Sequence, residues 1–175
     1  NDDPPSAIAL DASGSVVVSG TTSSTNFPTT LGSYSPSPFG GRDVFVSKLA
    51  PDGAAFSYST LIGGTSDDVS LAMTLTPTDA VLVGGYTSSI NFPTTAGAPK
   101  RTLNGGVDGF ATVLDSTGAL IALSTYVGGA SPVTSDAVFA LGVENTGAIL
   151  IAGSTMSLDF PLVVPSQGSY GGNEG

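Results

Sequence analysis

Residues 16–30 read VVVSGTTSSTNFPTT, and nearly the same string returns at residues 81–95 as VLVGGYTSSINFPTT. A looser third copy, ILIAGSTMSLDFP, occupies residues 149–161. Alignment of Asn26 with Asn91 and Asp159 gives spacings of 65 and 68 residues. Self-similarity at such a period is typical of repeat architectures, in which each unit needs its neighbours to bury its apolar faces.

Two further blocks repeat in the same order. Residues 40–49 (GGRDVFVSKL) match 105–114 (GGVDGFATVL), and residues 59–64 (STLIGG) match 124–129 (STYVGG). These matches divide the chain into a first unit at 1–65, a second at 66–133 and a partial third at 134–175. The three extra residues of the longer spacing fall near residues 131–133, where we expect a loop.

Each complete unit contains four short segments rich in β-branched or aromatic residues and bounded by turn residues, a pattern that predicts strands. The 24 Gly and 12 Pro interrupt the chain too often for long helices. Several turns place Gly where a tight hairpin needs a positive φ. The predicted strands are 7–10, 16–20, 43–49 and 56–62 in the first unit, 71–75, 81–86, 109–114 and 120–127 in the second, and 138–143 and 149–154 in the third.

The fold class predicted is all-β, with tandem four-stranded antiparallel blades like those of a β-propeller, about two and a half in number. Residues 16–18 are apolar throughout, as expected of a strand whose sheet is covered on both faces. The unit exceeds the roughly 40–50 residues of a compact blade, so residues 21–40 must form a long ordered loop. We expect Phe27, Phe92 and Phe160 to fill apolar gaps between blades. A β-sandwich or β-solenoid would also fit the period.

Composition excludes several classes of function. The formal net charge is −10, with only four Lys and Arg residues, so a basic surface for nucleic acid or for an anionic membrane is not expected. No apolar run is long enough to span a membrane. The absence of Cys and His excludes disulfides, cysteine nucleophiles and imidazole bases. No Gly-x-Ser-x-Gly motif occurs, and no catalytic residue is assigned.

Acidic residues recur at one repeat position and could bind Ca²⁺ through their oxygens. No Asp-x-Asp-x-Asp loop supports a calcium site, however, so turn capping is the favoured interpretation. We therefore assign no metal or cofactor, with Ca²⁺ kept as an alternative. The residues concerned are Asp2, Asp3, Asp67, Asp68 and Asp136.

Other polar residues receive structural interpretations as well. Asp43, Asp108 and Glu174 share a second repeat position, and recurrence favours a structural role because a catalytic acid should be singular. Lys100 and Arg101 form the one basic pair, which we interpret as part of a solvated loop. Three tyrosines could stack on sugars, but packing is the commoner role of Tyr in strands. These are Tyr34, Tyr86 and Tyr170.

The three blocks together resemble the SBBP β-propeller repeat family of bacteria and archaea, along nearly the whole chain. The second copy departs from the pattern at residues 76–79 and at Val113, which stands where the first has Lys48. The third copy keeps Asp159-Phe160-Pro161 but loses both threonines. The resemblance implies a secreted or cell-surface protein in which the repeats act as structural or interaction modules, without shared catalytic residues.

The expected function is a non-catalytic extracellular scaffold or adhesive module. Two and a half blades cannot close a ring, and open sheet edges invite pairing, so the expected partners are other copies of the chain or the rest of a longer propeller. An extracellular protein or glycan is a further possible partner. The alternative function is a ligand-binding propeller for a glycan, a peptide or Ca²⁺.

Overall fold

The computed structural model describes residues 2–130 and 135–161, and this part of the chain contains ten β-strands and no helix. No helix in these ranges could therefore cross a membrane. The strands are β1 (Pro5–Leu10), β2 (Val16–Thr22), β3 (Asp43–Leu49), β4 (Phe56–Ile62), β5 (Asp68–Leu75), β6 (Val81–Thr87), β7 (Asp108–Leu114), β8 (Ile121–Val127), β9 (Ala137–Val143) and β10 (Ile149–Ser154).

These strands form three antiparallel sheets, each a simple meander. The first sheet has the order β1-β2-β3-β4, the second β5-β6-β7-β8, and the third pairs β9 with β10. All ten predicted strands are confirmed, with ends that agree to within three residues. The expected loop at 131–133 and the tail from residue 162 lie outside the described residues. The described sheets do not close on one another into a ring.

The sheets pack face to face in chain order. β5 lies against β1, β2 and β3 of the first sheet, and β9 lies against β5, β6 and β7 of the second. The main apolar core is the layer between the first and second sheets, where both sheets contribute β-branched and aromatic side chains. Its buried members are Val17, Val44, Val46, Tyr58, Ile62, Val81, Val83, Phe92, Phe110, Leu114 and Tyr126.

One of the repeated Phe-Pro dipeptides contributes its ring to this core. Phe92 is only 3% exposed, and its ring centroid lies 4.6 Å from that of Phe110 and 6.0 Å from that of Tyr126. The expectation that it fills a gap between sheets is confirmed. Phe27 stacks in the same way on Phe45, also at 4.6 Å, but Phe27 and Phe160 are half-buried.

In each of the first two units, the long loop after the second strand runs along the outer edge of the fourth strand. In the first unit the Ser59 hydroxyl donates to the Pro28 carbonyl at 2.6 Å, and the Thr30 amide donates to the Ser59 carbonyl at 2.9 Å. In the second unit Ser124 makes the same contacts with Pro93 and Thr95. The Pro-Thr-Thr segment therefore covers an edge that would otherwise be open to pairing.

A β-bulge recurs at the start of each unit and dictates one glycine of the motif. The register of β5 against β6 slips between Ser70 and Ala72, opposite Gly85. A Cβ on Gly85 would collide with the Val69 carbonyl, and the third unit repeats this contact between Gly153 and the Ala137 carbonyl. Only glycine fits where the bulge pushes one backbone onto the other.

Hairpin turns close with glycines in the left-handed region, as predicted: Gly14, Gly53 and Gly118 have φ of 83°, 69° and 73°. The divergent turn of the second unit instead places Asp79 at φ 58°. Asp tolerates this conformation better than most residues. The turn is therefore kept although its sequence departs from the repeat.

Replacing Phe92 by Ala should lower the free energy of unfolding by about 3–5 kcal/mol, because a buried aromatic ring leaves a cavity. Phe27→Ala is the matched control, since it removes the same ring from the same repeat position where it is half-buried, and it should cost clearly less. Urea unfolding followed by circular dichroism measures both. Equal losses for the two variants would contradict the burial of Phe92 between sheets.

Candidate functional site

Two glycine pairs link consecutive sheets and organise the most distinctive polar sites of the chain. Gly63 and Gly64 lie between β4 and β5, and Gly128 and Gly129 lie between β8 and β9. Two carboxylates adjoin each pair. We call the group of Asp43, Gly63, Gly64 and Asp68 seam 1, and the group of Asp108, Gly128, Gly129 and Asp136 seam 2.

One carboxylate of each seam accepts a fixed set of hydrogen bonds. The Asp68 carboxylate is fully buried and accepts from the hydroxyls of Thr87 and Ser89 and, at 2.6 Å, from the Gly64 amide. In seam 2, Asp136 accepts from Ser157 at 2.9 Å and from the Gly129 amide at 3.0 Å. The Thr-x-Ser of the repeat thus serves to satisfy a buried carboxylate from the neighbouring strand.

The other carboxylate of each seam begins the third strand of the preceding unit. Asp43 and Asp108 are each 1% exposed. A Cβ on Gly63 would collide with both Asp43 Oδ1 and Asp68 Oδ2, and a Cβ on Gly128 would collide with Asp108 Oδ1 and Asp136 Oδ2. The two carboxylates of a seam therefore face one another across a glycine that no other residue could replace.

Burial changes the acidity of the seam 1 carboxylates. Desolvation raises the pKa of Asp68 to about 6, with the nearby charge of Asp43 adding to the effect, although the Thr87, Gly64 and Ser89 donors oppose it. Desolvation also raises the pKa of Asp43, against the opposing hydrogen bond from the Phe39 amide. Two acids of the same sign are thus held close together in a dry environment, which is costly when both are ionised.

Seam 2 contains a cation that the sequence analysis assigned wrongly. The Lys100 side chain is 15% exposed rather than solvated, and its ammonium lies 2.7 Å from Asp108 Oδ2. The same ammonium donates to the carbonyls of Gly128 and Gly129 at 2.9 and 2.8 Å. Its neighbour Arg101 is exposed, as expected. A buried ion pair thus neutralises part of the charge at seam 2.

A second ion pair explains two departures of the second unit from the repeat. In the first unit Lys48 Nζ lies 2.6 Å from Asp11 Oδ2, and both side chains are largely buried. The Lys48 contact is the main reason that the pKa of Asp11 falls well below its usual range. The second unit has Val113 and Thr76 at these positions, so both partners were replaced together and no buried charge is left alone.

The Asn-Phe-Pro motif also clamps the seams. Asn91 Oδ1 accepts from the amide and the hydroxyl of Thr65, both at 2.9 Å. Asp159 Oδ1 accepts from the Ala130 amide, also at 2.9 Å. The aligned residues therefore have like surroundings, and each ties the segment after a glycine pair to the loop of the next unit.

The remaining predicted site residues are scattered. Asp67 forms an ion pair with Arg42 at 3.0 Å on the surface, unlike its neighbour Asp68, which is buried. Asp2 is exposed. Asp3 accepts from Thr22 and Ser24, as Asp68 does from its own unit. Among the described residues no three acidic side chains form a group that could hold a metal.

Of the tyrosines, Tyr34 packs against the main core, which agrees with the packing role expected of it, and Tyr86 is half-buried. Tyr170 and Glu174 lie outside the described residues.

The face of the first sheet that points away from the second sheet is apolar. Ile8 and Leu10 are 72% and 67% exposed, whereas their repeat counterparts Met73 and Leu75 pack against the core. We call this surface the outer face. Its members are Ile8, Leu10, Val16, Val18, Phe27 and Phe45, which match Met73, Leu75, Val81, Val83, Phe92 and Phe110 of the second sheet.

An open cleft of about 660 Å³ lies between β1 and β5. Its walls include Ser6 and Ser70, whose hydroxyls are 2.8 Å apart. Arg42 also lines the cleft, and it is a residue of the first unit alone, because the second has Val107 at this position. The size falls within the usual range of small-ligand sites.

No protein-family model matches this chain, and no curated protein matches it.

Replacing Lys100 by Met should lower the free energy of unfolding by about 3 kcal/mol, because the Asp108 carboxylate would stay buried without its cation. Arg101→Ala removes the adjacent exposed charge and should change stability by less than about 0.5 kcal/mol. Chemical denaturation of the two variants beside the parent chain makes the comparison. A neutral Lys100→Met would show that the ion pair is not needed.

The raised pKa of Asp68 predicts a dependence of stability on pH. The pKa of Asp68 in the folded chain, about 6, exceeds the value of roughly 4 in the unfolded chain, so the folded chain binds more protons between these values. This contribution to stability is complete below about pH 4 and is lost as the pH rises through 6. The stability advantage of the parent chain over Asp68→Asn should shrink by up to about 2 kcal/mol from pH 4 to pH 7.

Urea titrations at half-unit pH steps in buffer free of divalent cations measure this difference. Asp67→Asn is the control, because hydrogen bonding to Arg42 lowers the pKa of Asp67 and its contribution to stability is instead lost in acid, below about pH 4. A parent-minus-Asp68→Asn difference that stays constant from pH 4 to pH 7 would refute the assignment.

Proposed function

We propose that this chain is a non-catalytic structural module of a β-propeller-like repeat array, built to associate with further sheets of its own kind. The outer face of the first sheet carries the proposal. It consists of apolar residues at the repeat positions through which the second sheet packs against the first; Phe45 is buried there, but Ile8 and Leu10 are mostly exposed. Exposed apolar patches of this kind mark association sites.

The partner that fits the outer face is a sheet presenting the surface that the first sheet offers to the second. That surface consists of buried β-branched and aromatic side chains, among them Val17, Val44, Val46, Tyr58 and Ile62. Either a preceding repeat of a longer chain or another copy of this one would supply it. The β4 and β8 edges are covered by their own loops, which favours association through sheet faces over pairing of these edges.

A secreted or cell-surface location follows from the resemblance to the SBBP repeats and is part of the proposal. The net charge of −10 is compatible with a soluble surface that avoids nucleic acid and anionic lipid. No catalytic role is proposed, because the buried acids described above are engaged in holding the seams.

A second candidate function, ligand binding, is favoured by the cleft between β1 and β5. It combines a suitable volume with Arg42, a polar residue that does not repeat, as expected where one position of an array is specialised. The partner would be a small polar molecule such as part of a glycan or a peptide. Loss of binding in Arg42→Ala, with Arg101→Ala unaffected, would support this function over a purely structural one.

Self-association through the outer face predicts a mass above the 17.2 kDa of one chain in size-exclusion chromatography with light scattering. The double variant Ile8→Lys/Leu10→Lys should shift the protein to the monomer, because charges cannot be buried between apolar sheets without a partner. Leu31→Lys is the control, since Leu31 is a fully exposed apolar residue of a loop, and its mass should match the parent. A monomeric parent chain would contradict self-association.

A further inference from the structure

Seam 1 has the same carboxylates and carbonyls as seam 2 but a different residue at the position of the lysine. The repeat spacing places Ser35 where the second unit has Lys100, and both backbones are held alike: the Ser35 amide donates to Thr60 Oγ1 at 2.8 Å and the Lys100 amide to Thr125 Oγ1 at 3.0 Å. The Ser35 hydroxyl donates to the Ser37 carbonyl. The first unit therefore supplies no ammonium from this position.

Seam 1 contains a buried acceptor that no described donor reaches; Asp108 Oδ1 of seam 2 is in the same position, but there the Lys100 ammonium lies 2.7 Å from the other oxygen of the carboxylate. Asp43 is 1% exposed, and its Oδ1 has no hydrogen-bond donor among the residues that the structure describes. This atom faces Asp68 Oδ2 across Gly63, while Asp43 Oδ2 accepts from the Phe39 amide at 3.0 Å. A buried, unpartnered carboxylate oxygen beside a second buried carboxylate is strongly unfavourable unless a positive charge joins it.

Seam 2 shows how a positive charge is held at the equivalent position. In seam 2 a cationic group is held by one carboxylate and the carbonyls of Gly128 and Gly129. By repeat position the counterparts in seam 1 are Asp43 and the carbonyls of Gly63 and Gly64. Asp68 lies close to Asp43 across Gly63. We propose that seam 1 binds a Ca²⁺ ion, which takes the place of the lysine ammonium of seam 2.

The choice of ion follows from the ligands. Carboxylate and carbonyl oxygens suit hard cations, and Ca²⁺ accepts irregular sets of six to eight oxygens, with water completing the shell. Mg²⁺ requires near-octahedral geometry and retains its waters, which suits a buried backbone site poorly. The two carboxylates carry a charge that a divalent ion balances and a monovalent ion does not.

The experiment compares Ca²⁺ binding by the full chain and three variants after treatment with EDTA. Isothermal titration calorimetry should give one Ca²⁺ per parent chain. At about 100 times the dissociation constant, the melting temperature should rise by roughly 5–10 °C. Asp43→Asn should abolish both effects. Asp52→Asn, which removes an exposed turn carboxylate, controls for net charge and should retain them.

Ser35→Lys is the decisive variant, because it introduces into seam 1 the cation that seam 2 already has. It should no longer bind Ca²⁺, and without Ca²⁺ it should melt at a higher temperature than the EDTA-treated parent. It also keeps the proposal testable if Asp43→Asn does not fold. Absence of Ca²⁺ binding by the parent chain would overturn the proposal, as would an unchanged melting shift in Ser35→Lys or a response to Mg²⁺ equal to that to Ca²⁺.

Discussion

Face-to-face packing of apolar sheet surfaces is the interaction on which the rest of this structure depends. A four-stranded sheet with Val81 and Val83 on one face and Leu82 on the other cannot bury both faces alone, and each such side chain contributes about 1.5–3 kcal/mol only when water is removed from it. The second sheet satisfies this requirement on both sides. The first sheet satisfies it on one side, which explains why equivalent residues differ so widely in exposure.

Close packing of the sheets has a consequence for the polar groups between them. The chain must pass from β4 to β5 and from β8 to β9 through short links, and the bulges and seams bring backbone and carboxylates into contact there. Glycines relieve the steric crowding, and Thr and Ser hydroxyls such as those of Thr87 and Ser89 satisfy the acids. Recurrent polar residues therefore belong to the joints of the array.

The buried charges distinguish the units from one another. Each of the first two units has one buried carboxylate that is neutralised by a lysine. The pairs are Lys48 with Asp11 in the first unit and Lys100 with Asp108 in the second. Because a lone buried charge costs more than a pair, Lys48 and Asp11 are both replaced in the second unit, whereas the first unit keeps Asp43 although Ser35 stands at the position of Lys100. The positions that deviate from the repeat are therefore the ones at which the two units differ in their buried charges.

The amino-acid sequence by itself determined the ten strands, their grouping into repeats and the burial of Phe92. Strand periodicity, turn glycines and recurrence are local or translational signals that need no knowledge of distant contacts. It could not predict the role of Lys100, the pairing of Lys48 with Asp11 or the meeting of Asp43 with Asp68. Lys100 contacts Asp108, 8 positions away, together with Gly128 and Gly129, 28 and 29 positions away. Lys48 and Asp11 are 37 positions apart, and Asp43 and Asp68 are 25 apart.

Only the tertiary structure brings those residues together, because their proximity follows from the register of the strands and the stacking of one sheet on the next.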